Sequence, residues 1–133
     1  MASNTTPTYV AGSAGNVIAS ASLGASATTN SSTAMDFSAG FQGQIHVLNT
    51  PGGSVAATRG LKIEIFRRYG TTPTTAQTAM YTYTLPSTTA STAESVDIFL
   101  DTGVYNIKLT NMDASNAVTV EITSDKVSAL GTV

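Results

Sequence analysis

The stretch Asp101-Thr102-Gly103-Val104-Tyr105-Asn106-Ile107 separates two segments in which apolar and polar residues alternate. The apolar residues recur at every second position, at Val96, Ile98 and Leu100 before the turn and at Tyr105, Ile107 and Leu109 after its start. A period of two residues is the spacing of one face of a β-strand. Asp and Gly favour turns, because Asp bonds to nearby backbone and Gly adopts conformations closed to larger residues. The stretch therefore predicts a turn between strands 95–100 and 105–111.

The same alternation recurs on both sides of this turn and is interrupted by loops rich in Ser, Thr, Asn, Gly and Pro. The predicted strands span residues 16–23, 35–38, 41–48, 61–66, 78–85, 95–100, 105–111 and 118–125. Residues 25–34 and 87–92 are predicted as loops, and 111–116 as a hairpin loop. No segment has the period of a helix. Seven or eight strands in this pattern are typical of an antiparallel β-sandwich or barrel.

The composition agrees with an all-β domain. The chain has 133 residues, and its 23 Thr, 15 Ser, 18 Ala and 11 Gly make up half of them. Thr is stiff at its first side-chain torsion and packs well on a pleated surface, so this mixture favours strands over helices. Charged residues make up 11% of the chain and hydrophobic residues 41%, which is unlike a disordered protein. The length fits one domain.

The first fifteen residues differ from the rest. They are rich in Asn, Thr, Pro, Ser and Gly, and only Tyr9 and Val10 have bulky apolar side chains. So little apolar surface does not offset the entropy lost on ordering. We therefore predict a flexible N-terminal arm at residues 1–15, with Tyr9 and Val10 as its anchors on a neighbouring subunit, and a single β-sandwich domain at residues 16–133.

Charge and residue types weaken several classes of function. With 6 basic and 8 acidic residues the formal net charge is −2, so there is no excess of cations for nucleic acid. The chain has no Cys and one His, which removes thiolate chemistry and His-rich metal sites. It contains neither an apolar run long enough to cross a membrane nor a secretion signal. We expect no nucleic-acid partner, no membrane partner and no cofactor, and synthesis in a cytoplasm.

The candidate catalytic and metal-binding residues have simpler interpretations. His46 lacks a nucleophile motif and a second His at ligand spacing, so a surface or interface position is favoured. Asp97 and Asp101 lie roughly 13 Å apart on an extended strand, too far to act as a pair. Asp101, Asp113 and Asp125 lie near predicted turns and would form a calcium site only if they converged. No catalytic or metal site is predicted.

Two aromatic clusters are candidates for binding. Arg67, Arg68 and Tyr69 form the one local basic and aromatic cluster; it suits a carboxylate or an aromatic ring of a partner, or it is the end of a strand with solvated arginines. Tyr81 and Tyr83 share strand parity with Leu85. This parity favours a core position over a platform for stacking sugars.

The turn at residues 101–107 resembles the tyrosine corner of immunoglobulin-like domains. In that corner a Tyr at the start of a strand bonds back to the backbone of the turn, which assigns structural roles to Asp101, Gly103 and Tyr105. Ile107 takes the place where antibody domains carry a core Cys. The chain has no Cys and no Trp, which excludes an antibody-type domain. The resemblance implies an Ig-like β-sandwich, with a jelly roll as the alternative.

In size, composition and this corner, the chain resembles the small Ig-like virion proteins of tailed bacteriophages. The resemblance implies a non-enzymatic structural subunit of the virion, a capsid decoration protein bound to the major capsid protein or a tail or neck accessory subunit. It also implies many copies and a homo-oligomer. The alternative is a carbohydrate-binding or adhesin module that recognises a host surface glycan.

Overall fold

The structure is a computed structural model that describes residues 5–30, 35–38, 42–67 and 78–132. These ranges contain nine strands and no helix: β1 (Thr5–Leu23), β2 (Thr28–Asn30), β3 (Met35–Asp36), β4 (Gln42–Pro51), β5 (Leu61–Arg67), β6 (Tyr81–Leu85), β7 (Glu94–Asp101), β8 (Val104–Asn111) and β9 (Val118–Thr132). The prediction of an all-β fold is confirmed. The short strand β2 lies in the segment predicted as a loop, and β9 continues to Thr132, beyond the predicted end near Asp125.

The strands form two antiparallel sheets. Sheet A has the order β1-β9-β4-β7, and sheet B has the order β2-β8-β5-β6, with β3 also paired with β8. The chain changes sheet after β1, β3, β4, β6, β7 and β8. The prediction that residues 111–116 form a hairpin loop is wrong, because β8 and β9 lie in different sheets. A polar loop after a strand has the same composition whether it joins paired strands or two sheets.

One hydrophobic core is shared by the two sheets. In β4 the inward residues Ile45 and Val47 are buried, while His46 and Leu48, which alternate with them, are partly exposed. The fully buried core residues with the largest side chains come from both sheets and from the segment after β3: Tyr105, Phe37, Ile45, Leu61, Ile63, Ile65, Ile107, Leu109, Ile122, Val47 and Val120. The alternation read from the sequence therefore marks the faces that the sheets turn toward each other.

Phe37 closes one end of this core by packing against β4 at Gly43, a position without a side chain. Its ring is buried and lies 6.2 Å from the ring of Tyr105, tilted by 45°. A Cβ atom added to Gly43 would clash with the Phe37 ring. Gly43 is required in β4 because the aromatic ring occupies the place of its side chain.

The turn between β7 and β8 carries the chain from sheet A to sheet B. The Tyr105 hydroxyl donates to the Asp101 carbonyl at 3.0 Å, and the ring of Tyr105 is fully buried. Gly103 has φ of +153°, and its carbonyl accepts a hydrogen bond from the Phe37 amide at 2.8 Å. The Arg67 guanidinium donates to the Thr102 carbonyl at 3.2 Å. The three residues assigned to the corner thus lie together, with Tyr105 bonded backward across the turn.

The backbone of the predicted arm is part of a strand. β1 begins at Thr5, and it pairs with β9 from Thr5 opposite Thr132 to Leu23 opposite Val118. The predicted boundary at residue 15 therefore falls inside β1. The physical reason is that the long strand β9 offers backbone donors and acceptors along this side, and backbone pairing needs no bulky side chains.

Replacing Tyr105 with Phe tests the hydrogen bond at the β7–β8 turn. We expect Tyr105→Phe to lower the free energy of unfolding by about 1 to 3 kcal/mol, because the Asp101 carbonyl loses its partner in a partly buried place. Urea denaturation measures this change. Tyr83→Phe removes a hydroxyl from an exposed ring and should change the free energy by less than about 0.5 kcal/mol. Equal effects of the two substitutions would contradict a special role for Tyr105.

Candidate functional site

Three loops meet at the end of the two sheets opposite to the β7–β8 turn. Asn111 lies at their junction. Its side chain is fully buried. The Asn111 side-chain amide donates to the carbonyls of Leu23, Gly24 and Asn116 at 3.2, 2.9 and 2.9 Å. Its side-chain oxygen accepts from the Asp113 amide at 2.9 Å. One buried amide group therefore holds the end of β1 against the loop between β8 and β9.

Asp113 extends this network to the loop between β4 and β5. One carboxylate oxygen accepts from the Ala56 amide at 2.8 Å. The other accepts from the amides of Ser115 and Asn116 at 2.9 and 2.8 Å. The Asp113 carbonyl accepts from the Ser26 amide at 3.0 Å. We call Asn111 and Asp113, with the loops 24–27, 53–58 and 112–117 that they join, the loop anchor.

The Asp113 carboxylate is stabilised as an anion. Its pKa lies below the ordinary value because the hydrogen bonds to the charged form outweigh the cost of desolvation. The largest contribution is the hydrogen bond from the Ala56 amide, and those from Ser115 and Asn116 add to it. The loop anchor thus depends on a negative charge held by backbone N–H groups.

The predicted interface residues have different places. Arg67, at the end of β5, packs on the β7–β8 turn and donates to Thr102, so it also has a structural contact there. Arg68 and Tyr69 lie outside the described residues. The backbones of Tyr9 and Val10 pair with Val127 and Lys126 of β9. An interface role for these five residues stays a prediction.

The structure does not bring Asp101, Asp113 and Asp125 together. Asp101 ends β7 beside one end of β8, whereas Asp113 follows the opposite end of β8 and is held by backbone amides. Asp125 lies in β9, two positions away from the β9 residue that shares a row of the sheet with Asp101. Within the described ranges no three His, Asp or Glu side chains are placed to hold a metal ion.

His46 has a carboxylate partner that the linear sequence did not reveal. Its Nδ1 lies 2.6 Å from an Asp97 oxygen, directly opposite on β7, and both side chains are about half exposed. Thr123 of β9 lies opposite His46 on the other side. A carboxylate, an imidazole and a hydroxyl in one row resemble a catalytic triad. Here, however, the backbone around all three residues is paired in the ladders of β7, β4 and β9. A flat paired strand does not aim N–H groups at a developing oxyanion, so the arrangement fits a surface pair.

The outer face of sheet A carries half of the acidic residues of the chain. Asp97, Asp101, Glu121 and Asp125 occupy outward positions on β7 and β9. The Phe99 side chain lies among them and is 64% exposed. This face combines an aromatic ring with negative charge.

The interpretation of Tyr81 and Tyr83 as core residues is wrong. Their side chains are 44% and 36% exposed, although Leu85 on the same side of β6 is buried. They pair with the inward residues Ile65 and Ile63 of β5, but β6 is the last strand of sheet B in the described chain. Strand parity predicted the side of the sheet correctly, and the edge position leaves that side open to solvent.

The chain matches no protein-family model and no curated protein. Among the described residues, no helix has the length and apolar character needed to span a membrane.

The loop anchor is the feature that the sequence interpretation missed. The signal for it was present in Asn111-Met112-Asp113-Ala114-Ser115-Asn116, because Asn and Asp side chains often accept backbone amides two or three residues ahead. Only the partners within this stretch could be inferred in that way. Leu23 and Ala56 are far away in sequence.

Replacing Asp113 with Asn tests the charge in the loop anchor. The folded-state pKa is lowered, so the stabilisation is present above the unfolded pKa of about 3.9 and is lost as pH falls through the folded pKa. We expect Asp113→Asn to lower the Tm by several degrees at pH 7, and this difference from wild type should shrink below about pH 4. Thermal unfolding followed by circular dichroism between pH 7 and about pH 2 measures it.

The matched control is Asp101→Asn, which makes the same change on an exposed carboxylate. It should change the Tm much less at pH 7. A Tm difference for Asp113→Asn that is as large at low pH as at pH 7 would show that the anchor depends on shape and not on charge.

Proposed function

We propose that the protein is a non-enzymatic structural subunit of a bacteriophage virion, present in many copies and bound to the major capsid protein or to a tail or neck protein. The observation that carries this proposal is the ribbon that β1 and β9 form beyond the rest of sheet A. Residues Thr5–Thr8 pair with Ala129–Thr132, whereas the ladder between β4 and β9 extends to Val127 within the described residues. We call these paired segments the β1–β9 ribbon.

The β1–β9 ribbon suits attachment to a neighbouring protein. A two-stranded ribbon is marginally stable on its own in water. Beyond β4, its two strands each have an edge on which no described strand is paired. A partner that supplies a strand would satisfy those backbone groups and make the ribbon part of a larger sheet. Interlocking of this kind is a simple way to hold subunits on a shell.

The low charge of the chain supports the same proposal. Only 14 of 133 residues are charged, so contact with neighbouring copies or with a shell requires little removal of water from ions. The rigid loop anchor and the shared core provide a body that keeps its shape in such contacts. These properties fit a protein whose surface is its function.

The connections between strands favour an Ig-like sandwich over a jelly roll. β4 pairs with β7 in one sheet and β5 with β8 in the other, while the chain crosses between sheets after β4 and after β7. In immunoglobulin domains, strand B pairs with strand E in one sheet and strand C pairs with strand F in the other. The tyrosine corner lies at the start of strand F. The chain departs from that pattern at β9, which lies beside β4 and not beside β8.

A carbohydrate-binding module is the second candidate, because exposed aromatic rings are the groups that stack on sugars. Tyr81 and Tyr83 are exposed side by side at the edge of sheet B. In this function the protein would bind a host surface glycan without being part of a particle.

Quantitative mass spectrometry of gradient-purified particles from the host that carries this gene tests the proposal. We expect the chain in the particle band. Hundreds of copies for each particle would place it on the capsid or the tail tube, and about a dozen would place it at the neck, baseplate or fibres, where symmetry is lower. Absence from purified particles would contradict the proposal and favour the glycan-binding candidate.

Removal of residues 1–8 tests the role of the β1–β9 ribbon. We expect the Tm to change by less than about 2 °C, because the backbone pairing of this ribbon lies beyond the described end of β4 and a two-stranded ribbon adds little stability on its own. Binding to particles that lack the protein should weaken by at least about tenfold. A large loss of Tm with unchanged binding would mean that these residues stabilise the domain and do not attach it.

A further inference from the structure

We propose that two copies of this chain associate through the edge of β6 on which no described strand is paired, with the two β6 strands antiparallel and Tyr83 of one copy opposite Tyr83 of the other. Sheet B would then continue from β2 of one copy to β2 of its partner. This proposal concerns a surface other than the β1–β9 ribbon, and it holds whether or not the protein belongs to a virion.

The edge of β6 lacks the features that normally prevent strand pairing. Residues 81–84 are all exposed, and Tyr81-Thr82-Tyr83-Thr84-Leu85 contains no charged residue and no proline. Half of the backbone donors and acceptors of an edge strand face away from the sheet, and proteins usually protect such edges with charges. Tyr and Thr are also among the residues that pair best in strands.

The other edge strand near this side of the molecule shows the contrast. β7 is the last described strand of sheet A, and it carries Glu94, Asp97 and Asp101. A second β7 pairing with it would bring like charges together, which opposes association. The two sheets therefore differ at their free edges, and β6 is the one open to an uncharged strand.

The sequence of β6 is complementary to itself in the antiparallel direction. With Tyr83 on a twofold axis, Tyr81 lies opposite Leu85 of the second copy, and Thr82 lies opposite Thr84. The two Tyr83 side chains then meet on one face of the sheet and Thr pairs meet on the other, while Leu85 stays buried in the core of its own copy and contributes its backbone. Such cross-strand pairs stabilise sheets, and a twofold axis requires a surface that matches itself. This match identifies a second copy as the occupant.

The size of the contact predicts a weak dimer. Five residues from each strand, with the neighbouring Met80 side chain that is 53% exposed, form a contact smaller than stable specific interfaces, which use about 20 to 30 residues from each partner. We expect a dissociation constant in the micromolar range or weaker. Where many copies are held on one scaffold, the effective concentration is high and such a contact is populated.

Disulfide trapping tests the pairing register in the full chain. The protein has no Cys, so in Tyr83→Cys the introduced thiol is the one source of a cross-link. Directly opposed residues in antiparallel strands have Cα atoms about 4.5 to 5.5 Å apart, which is within the range that a disulfide spans. After mild oxidation at about 100 µM, we expect most of Tyr83→Cys to run as a covalent dimer on a non-reducing gel.

The control is Ser95→Cys, which places an exposed thiol on the charged edge strand β7. It should remain mostly monomeric under the same oxidation. Equal cross-linking of the two variants, or none for folded Tyr83→Cys, would overturn the proposal. Circular dichroism establishes that each variant is folded.

A charge exchange gives a second test that does not alter Tyr83. Thr82 and Thr84 face each other across the proposed axis, so Thr82→Lys with Thr84→Lys places like charges in contact and should make the protein monomeric by sedimentation velocity. Thr82→Glu with Thr84→Glu should do the same, and a mixture of the two variants should recover dimers. Thr119→Lys, on the outer face of sheet A, should leave association unchanged. Failure of the mixture to recover dimers would contradict pairing through β6.

Discussion

Tyr105 is fully buried where the chain passes from sheet A to sheet B, and its hydroxyl donates to the Asp101 carbonyl at 3.0 Å. This bond relates β7 in one sheet to β8 in the other. β4 pairs with β7 and β5 pairs with β8, so the positions of four central strands follow from one turn. The Tyr105 ring also contacts the tilted ring of Phe37, which in turn requires Gly43 in β4. The packing of the core thus begins at this corner.

The opposite end of β8 is held in a different way. Asn111 is buried among backbone carbonyls, and the Asp113 carboxylate accepts backbone amides from two loops. A buried polar group is costly when its hydrogen bonds are not made, so these side chains favour one arrangement of the loops. Both ends of the central strand of sheet B are therefore anchored by side-chain bonds to backbone, and the molecule has little need of surface ion pairs.

The surfaces are correspondingly free to serve contacts. Sheet A exposes carboxylates around Phe99, whereas the outward charges of the central strands of sheet B, Lys62, Glu64 and Lys108, interact with one another. The free edges also differ, because β7 is charged and β6 is not. Such differences distinguish one side of a small body from another. In the proposed structural role, these differences would let the protein meet a scaffold on one side and its own copies on another.

The alternation of residues determined the strands, and Asp101, Gly103 and Tyr105 marked a turn, because side-chain period and turn conformation are local properties. Tertiary structure decided which strands pair and which residues are covered. It placed β8 and β9 in different sheets, left Tyr81 and Tyr83 at an open edge, and brought His46 to Asp97 across 51 positions. The reason is that burial and pairing depend on residues that are distant in sequence. Local periodicity carries no information about which strand pairs with another or which residues pack against it.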